Sequence, residues 1–292
     1  MTLSLSQNDK LLRSIFIFIL VSTHLKCVAP DVKDSIPYEL ANPTQVHKLA
    51  KELKEISGLA WWGGDTLLAI QDEKGILFFL SANDGEVLKT IEFAGDGDYE
   101  GVAVTYGTVY VLRSDGDIYR LKELKGKKAD TEKIETALSR DNDTEGFCFD
   151  RHTKSLLIAC KEKPGGDFKK QFKTIYSFPI DSEDILSDPF LVINEDSLLH
   201  QLHKKYENKI GAQFKPSGMS IHPLTGELDI LSGSNGLLAV FDSGYQLQEV
   251  IRFKKSILPQ AEGICFSPTG RLYISSEGDK GVLAQFEMNR EP

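Results

Sequence analysis

A six-residue string recurs five times along the 292-residue chain, and its spacing limits the possible folds more than any other feature. The copies are Glu55-Ile-Ser-Gly-Leu-Ala, Asp98-Tyr-Glu-Gly-Val-Ala, Asp143-Thr-Glu-Gly-Phe-Cys, Lys215-Pro-Ser-Gly-Met-Ser and Gln260-Ala-Glu-Gly-Ile-Cys. Their glycines, Gly58, Gly101, Gly146, Gly218 and Gly263, are 43, 45, 72 and 45 residues apart. A period of roughly 40–45 residues in a strand-rich chain marks propeller blades, each a sheet of about four strands. One blade alone exposes a hydrophobic face, so the copies must stack around an axis to bury it.

Apolar runs bounded by turn residues give the same strand order after each motif. In the second copy they cover 101–105, 109–114, 117–122 and 133–138; in the first, 58–62, 67–72, 75–81 and 87–94. The 72-residue interval has no second motif near position 182, so it reads as one blade plus an insertion. Leu198, Leu199, Leu202 and Tyr206 at helical spacing predict a helix over 195–208. The last copy supplies three strands before the chain reaches Pro292, and Pro37-Tyr-Glu-Leu-Ala is expected to supply the fourth, covering an open edge. The expected fold is all-β: a five-bladed β-propeller over 36–290, closed by an N-terminal strand. Six blades remain the alternative.

The first residues read differently. Lys10 and Arg13 precede the apolar run Ile15 to Val21, which is far shorter than the roughly twenty residues of a membrane-spanning helix. This is the pattern of an export signal over 1–26, followed by a linker over 27–35. Cys27 stands where a lipoprotein signal is cut and the new terminus acylated, although His24-Leu25-Lys26 departs from the usual small-residue site. An uncleaved N-terminal membrane anchor is the other reading, and both place the domain in the cell envelope. The formal charge is −9; residues 1–26 carry a net +2, so their removal leaves −11. Such acidity gives no electrostatic grip on nucleic acid. The other cysteines, Cys148, Cys160 and Cys265, lie in apolar runs and read as small core residues, with no paired spacing for zinc.

The repeat gathers acids. Residues just before each motif glycine and at the end of each second strand should ring one channel mouth. The first set includes Glu55, Asp98, Glu100, Asp143, Glu145 and Glu262; the second includes Asp72, Glu73, Asp115, Glu162 and Glu277. Clustered carboxylates repel and hold their protons unless a cation compensates. Oxygen-rich surroundings poor in histidine suit a hard cation, Ca²⁺ before Mg²⁺. Glu100, Glu145 and Glu262 are the expected ligands, with Asp98 and Asp143 beside them. Ser57 and Ser217 replace the glutamate in the other two copies, so the ring is uneven. Arg113, Lys161 and Lys215 fall near the same mouth, to pair with acids or hold an anion. A purely structural role for the repeated glutamate, as a fixed blade entry, stands beside the metal reading.

No nucleophile elbow or phosphate-binding loop is present. His200 and His203 read as a solvated helix face, His222 as a residue of the opposite mouth, and Trp61-Trp62 as packing between blades. Tyr38-Glu-Leu, Leu53-Lys-Glu-Ile-Ser-Gly-Leu-Ala, Gln71-Asp-Glu-Lys-Gly, Lys161-Glu-Lys-Pro and Tyr273-Ile-Ser-Ser-Glu, taken with the motif copies, resemble the SdiA-regulated (YjiK-like) family over about 36–288. The resemblance implies an envelope-associated bacterial β-propeller linked to calcium and distantly akin to phytase-like propellers. The basic stretch 161–172 departs from the family pattern. Two functions follow as expectations. One is a binding or sensing module that takes a divalent cation, with a small anionic ligand or an envelope protein as possible further partner. The other is a metal-dependent hydrolase of phosphate esters or lactones.

Overall fold

Among the described residues, the first strand, β1 (Gln45–Lys48), pairs with the last. Between them the repeats form four sheets in strict sequence. Blade 1 is β2 (Ile56–Gly63), β3 (Thr66–Gln71), β4 (Lys74–Ser81) and β5 (Val87–Asp96). Blade 2 is β6 (Tyr99–Thr105), β7 (Thr108–Arg113), β8 (Ile118–Glu123) and β9 (Asp130–Ile134). Blade 3 is β10 (Thr144–Asp150), β11 (Ser155–Cys160), β12 (Phe172–Pro179) and β13 (Leu191–Asn194), followed by helix α1 (Glu195–Tyr206). Blade 4 is β14 (Gly218–Ile221), β15 (Leu228–Ser232), β16 (Leu237–Phe241) and β17 (Leu247–Arg252). Blade 5 is β18 (Gln260–Phe266), β19 (Leu272–Glu277) and β20 (Val282–Phe286), completed by β1. Every pairing within the blades is antiparallel.

This computed structural model describes residues 36–182, 184–185, 187–206 and 213–289. The export segment 1–26, Cys27 and the linker 27–35 lie outside the described residues, as do positions 207–208 of the expected helix. Five blades and the inserted helix match the sequence expectation. The closing strand does not lie where it was expected. It begins at Gln45, eight residues beyond Pro37, while Pro37–Ala41 forms a bend and turn packed beneath blades 4 and 5. Tyr38 and Leu40 are buried there. The Tyr38 hydroxyl meets His222 Nε2 at 2.8 Å and donates to the Gly270 carbonyl. Three apolar side chains at alternating positions, Ile36, Tyr38 and Leu40, look like a half-buried strand in sequence; here they plug a seam instead.

The core consists of five apolar seams. Each lies between neighbouring blades, and one also takes helix α1 through Leu198 and Leu202. Because a blade is covered on both faces, its middle strands read as continuous apolar runs, such as Leu67 to Ile70 and Leu156 to Cys160. Cys148, Cys160 and Cys265 are buried free thiols, the first and last of them within these seams. Trp61 tilts against Tyr273 of blade 5 at 6.0 Å between ring centres, a packing role between blades.

The motif glycines set the spacing of the seams at the axis. A Cβ on Gly101 would overlap Phe147 of blade 3, and one on Gly218 would overlap the Glu262 carbonyl of blade 5. On Gly146 it would stand 2.8 Å from Met219 Cγ of blade 4, and on Gly263 2.7 Å from Leu59 Cβ of blade 1. Each glycine thus lets one inner strand lie directly against the next. Substituting Gly101→Ala or Gly218→Ala should destabilise the protein by about 1–3 kcal/mol through overpacking. Gly95→Ala, with open space around its Cβ, should leave the denaturation midpoint unchanged.

Candidate functional site

Four inner strands carry a β-bulge at the motif. The pairing of β10 with β11 slips between Thr144 and Phe147, and that of β18 with β19 between Ala261 and Ile264. The pairing of β6 with β7 slips between Tyr99 and Gly101, and that of β2 with β3 between Ile56 and Gly58. Each slip leaves an unmatched residue at the Glu-Gly or Ser-Gly step. An unmatched residue bends the strand and re-aims its side chain. The bulge sets the direction of Glu100, Glu145 and Glu262, which lie within electrostatic range of one another at the mouth.

The serines use the same position differently. Ser57 Oγ donates to the Tyr99 carbonyl at 2.6 Å, and Ser217 Oγ to the Ala261 carbonyl at 2.8 Å. Both bonds cross to the next blade. In blades 1 and 4 the motif residue is therefore a structural tie, and only blades 2, 3 and 5 contribute a carboxylate.

Those three carboxyl groups share one electrostatic environment. Glu145 is buried, and Glu100 and Glu262 are largely so. Burial first, then the Glu145, Asp98 and Glu262 carboxylates, pushes Glu100 up to about 10. Burial, with Glu145 next, raises Glu262 well above the usual carboxylate range. Burial also lifts Glu145 to about 7, against the opposing pull of Lys161. At the rim, Asp72 is raised to about 6 by burial, then by Glu55 and Glu277. Two buried carboxylate oxygens, Glu145 Oε2 and Asp72 Oδ1, have no hydrogen-bond partner.

The expected basic groups are all committed. Arg113 spans its own blade: Nε and Nη2 donate to Asp115 at 2.9 and 2.6 Å, Nη2 also to Asp117 at 2.5 Å, and Nη1 to the Tyr119 hydroxyl at 3.0 Å. Lys161 Nζ pairs with Glu145 Oε1, and Lys215 Nζ with Glu162 Oε1 at 2.5 Å. Among the lip carboxylates, Asp98 Oδ2 accepts from Ser114 Oγ at 2.5 Å, and Glu277 accepts from Gln260 Nε2 at 2.5 Å. Asp143 takes a left-handed backbone conformation (φ 51°), and its carbonyl accepts the Lys161 amide at 2.9 Å. Glu73 is exposed at the edge. The structure thus gathers Glu100, Glu145 and Glu262, with Asp98, Asp143 and Lys161 beside them. Arg113 faces its own blade's carboxylates.

Sequence reasoning missed Ser114, which holds Asp98, and Lys173, a buried lysine whose Nζ donates to the Lys161 carbonyl at 2.6 Å. Ser114 directly follows the second strand of its blade, next to Asp115, so its rank in the repeat was the available signal. Lys173 had none, because its strand neighbours only place it in the seam. As the side chains stand, no three carboxylate, imidazole or thiolate groups among the described residues converge tightly enough to enclose a metal ion. Beside the ring, Asp96, Asp98, Arg113, Asp115, Arg140 and Asp143 line a cleft of about 340 Å³. The opposite end of the channel is a larger and more apolar cavity of about 810 Å³, walled by Trp61, Phe149, Met219 and Phe266, with His222 at its rim.

A family model described as SdiA-regulated matches residues 38–280, most of the chain, and the protein belongs to that family. Solved structures share the fold at low identity. Glutaminyl cyclase from Myxococcus xanthus is 13% identical with a TM-score of 0.58, covering 84% of this chain and 95% of its own. A luciferin-regenerating enzyme is 12% identical (TM-score 0.51, covering 84% and 95%), and a glucose dehydrogenase is 11% identical (TM-score 0.52, covering 82% and 98%). At these identities the likeness is one of fold.

The raised carboxyl groups fix a sign for pH dependence. A carboxyl whose folded pKa lies above its unfolded value keeps its proton longer in the folded state. Its contribution to stability is complete below the unfolded pKa and is lost as pH rises through the folded one. For Glu100 that window runs from the usual carboxylate value to about 10. Unfolding free energy should therefore fall between pH 5 and 10, by about 1.4 kcal/mol per pH unit for each proton held only by the folded state. Glu100→Gln, a neutral isostere, should flatten that slope in denaturant titrations; an unchanged slope would locate the protons elsewhere.

Proposed function

We propose that this SdiA-regulated propeller is a cation-binding module of the cell envelope, taking Ca²⁺ at its acidic mouth and acting as a binding or sensing element rather than as an enzyme. The observation that carries the reading is the buried Glu145 Oε2, without a partner, in a ring with Glu100 and Glu262. A buried charge persists only when it is paired or coordinates a metal, and Lys161 pairs only one of the two Glu145 oxygens. The donors are oxygens only, which matches a hard cation rather than zinc or copper. A bound Ca²⁺ would supply the positive charge that three glutamates and their Asp98 and Asp143 neighbours lack. Glu100, Glu145 and Glu262 are the residues to hold it, drawing together as the ion enters.

The hydrolase reading needed Arg113 and Lys161 for a substrate anion, and both are committed to carboxylates. It therefore ranks behind the binding module. The envelope assignment rests on the N-terminal pattern of Lys10, Arg13, the apolar run and Cys27. If Cys27 is acylated, the protein should incorporate labelled palmitate and lose it in Cys27→Ser.

Calorimetric titration with CaCl₂ should show one-site binding that Glu145→Gln abolishes. At a hundredfold excess over Kd the ion should stabilise the fold by about 2.7 kcal/mol. Heat indistinguishable from dilution would remove the cation reading. Turnover of phosphate esters or lactones that tracks added Ca²⁺ would instead favour the hydrolase.

A further inference from the structure

The ring contains one positive charge of its own, and that charge stands differently from the acids it serves. Lys161 follows β11 directly, and its backbone is fixed on both sides. Its amide donates to the Asp143 carbonyl at 2.9 Å, and its carbonyl accepts Lys173 Nζ at 2.6 Å. Among the described residues its side chain is held by a single ion pair, to Glu145 Oε1. It is 28% exposed, whereas the Glu145 side chain it pairs with is 6% exposed. The lysine side chain therefore keeps more contact with solvent than the carboxylate it pairs with.

We propose that the Lys161 ammonium is a tethered counter-cation, which a divalent ion must displace from Glu145 to bind the ring, so that Lys161 sets the cation affinity of this mouth. The inference rests on the cation reading above. Lys161 occupies Glu145 Oε1 and leaves Oε2 unpartnered, so half of that carboxylate is already taken. An ammonium only donates, and its charge at contact distance repels an incoming cation. The other candidates for this role are committed elsewhere: Lys215 to Glu162, and Arg113 to Asp115 and Asp117. A displaced Lys161 has a second acid at hand, since Asp143 interacts electrostatically with it from the lip. A lysine stem is flexible enough for that exchange, as a compact point charge on four carbons. The arrangement exchanges one charge for two, which favours divalent over monovalent ions.

The test compares CaCl₂ binding by calorimetry in the full exported chain and its variants. Lys161→Gln and Lys161→Met should each bind Ca²⁺ about tenfold more tightly than the wild type, from the loss of one repelling charge. Lys161→Arg, which keeps the charge, should show no such gain. If the uncharged variants fail to fold, the wild type decides the matter by amine acetylation read by mass spectrometry: saturating Ca²⁺ should speed modification of Lys161 several-fold while surface lysines such as Lys125 stay constant. Wild-type binding with no gain in the variants, or with unchanged Lys161 acetylation, overturns this proposal and leaves the cation reading intact. No Ca²⁺ binding in the wild type or in the folded variants overturns both.

Discussion

Close contact between neighbouring inner strands is the constraint on which the rest of the molecule depends. At each motif glycine one blade lies against the next with no room for a Cβ, and the contact passes from blade 1 through blade 5 and back to blade 1. It brings the bulged residues of different blades close together and leaves them little contact with water, least of all Glu145. The same feature that permits a tight five-fold ring therefore creates the electrostatic difficulty at its mouth.

That difficulty has two solutions in one protein. In blades 1 and 4 the motif position is serine, whose hydroxyl ties adjacent blades through a backbone carbonyl. In blades 2, 3 and 5 it is glutamate, which cannot donate such a bond when ionised and is driven to hold a proton or pair with Lys161. Three carboxylates are more than a structural tie requires. Purely architectural selection would favour serine throughout, because a buried, hydrogen-bonded hydroxyl costs far less than a buried charge. Retaining acids at three of five equivalent positions is what makes the mouth a candidate site.

The two ends of the channel are chemically opposed. One mouth is acidic and ringed by ion pairs; the other opens into an apolar cavity beneath which the N-terminal segment is latched through Tyr38 and His222. The His222 tautomer follows from its partners. Its Nδ1 accepts the Leu224 and Thr225 amides at 3.3 and 3.1 Å, so the proton sits on Nε2 and is donated to Tyr38. Burial lowers the pKa of this imidazole, keeping it neutral. It acts as a latch for the chain entry, at the end of the channel away from the glutamate ring.

The sequence by itself determined the propeller architecture, the order of the strands within a blade, the inserted helix and the identity of the acids at the mouth, with five blades favoured over six. Each of these is a local pattern: a period, an alternation, a turn residue, a repeated Glu-Gly step. It did not determine the closing strand, because Pro37–Ala41 and Gln45–Lys48 are both short, and only pairing with the edge of β20 selects between them. Nor did it determine the partners of the charges. Arg113 binds its own blade's Asp115 and Asp117, Lys161 enters the glutamate ring, and Ser57 and Ser217 turn to neighbouring backbones. Those choices depend on distances between residues far apart in the chain and on how much water each group keeps, and both exist only once the ring has closed.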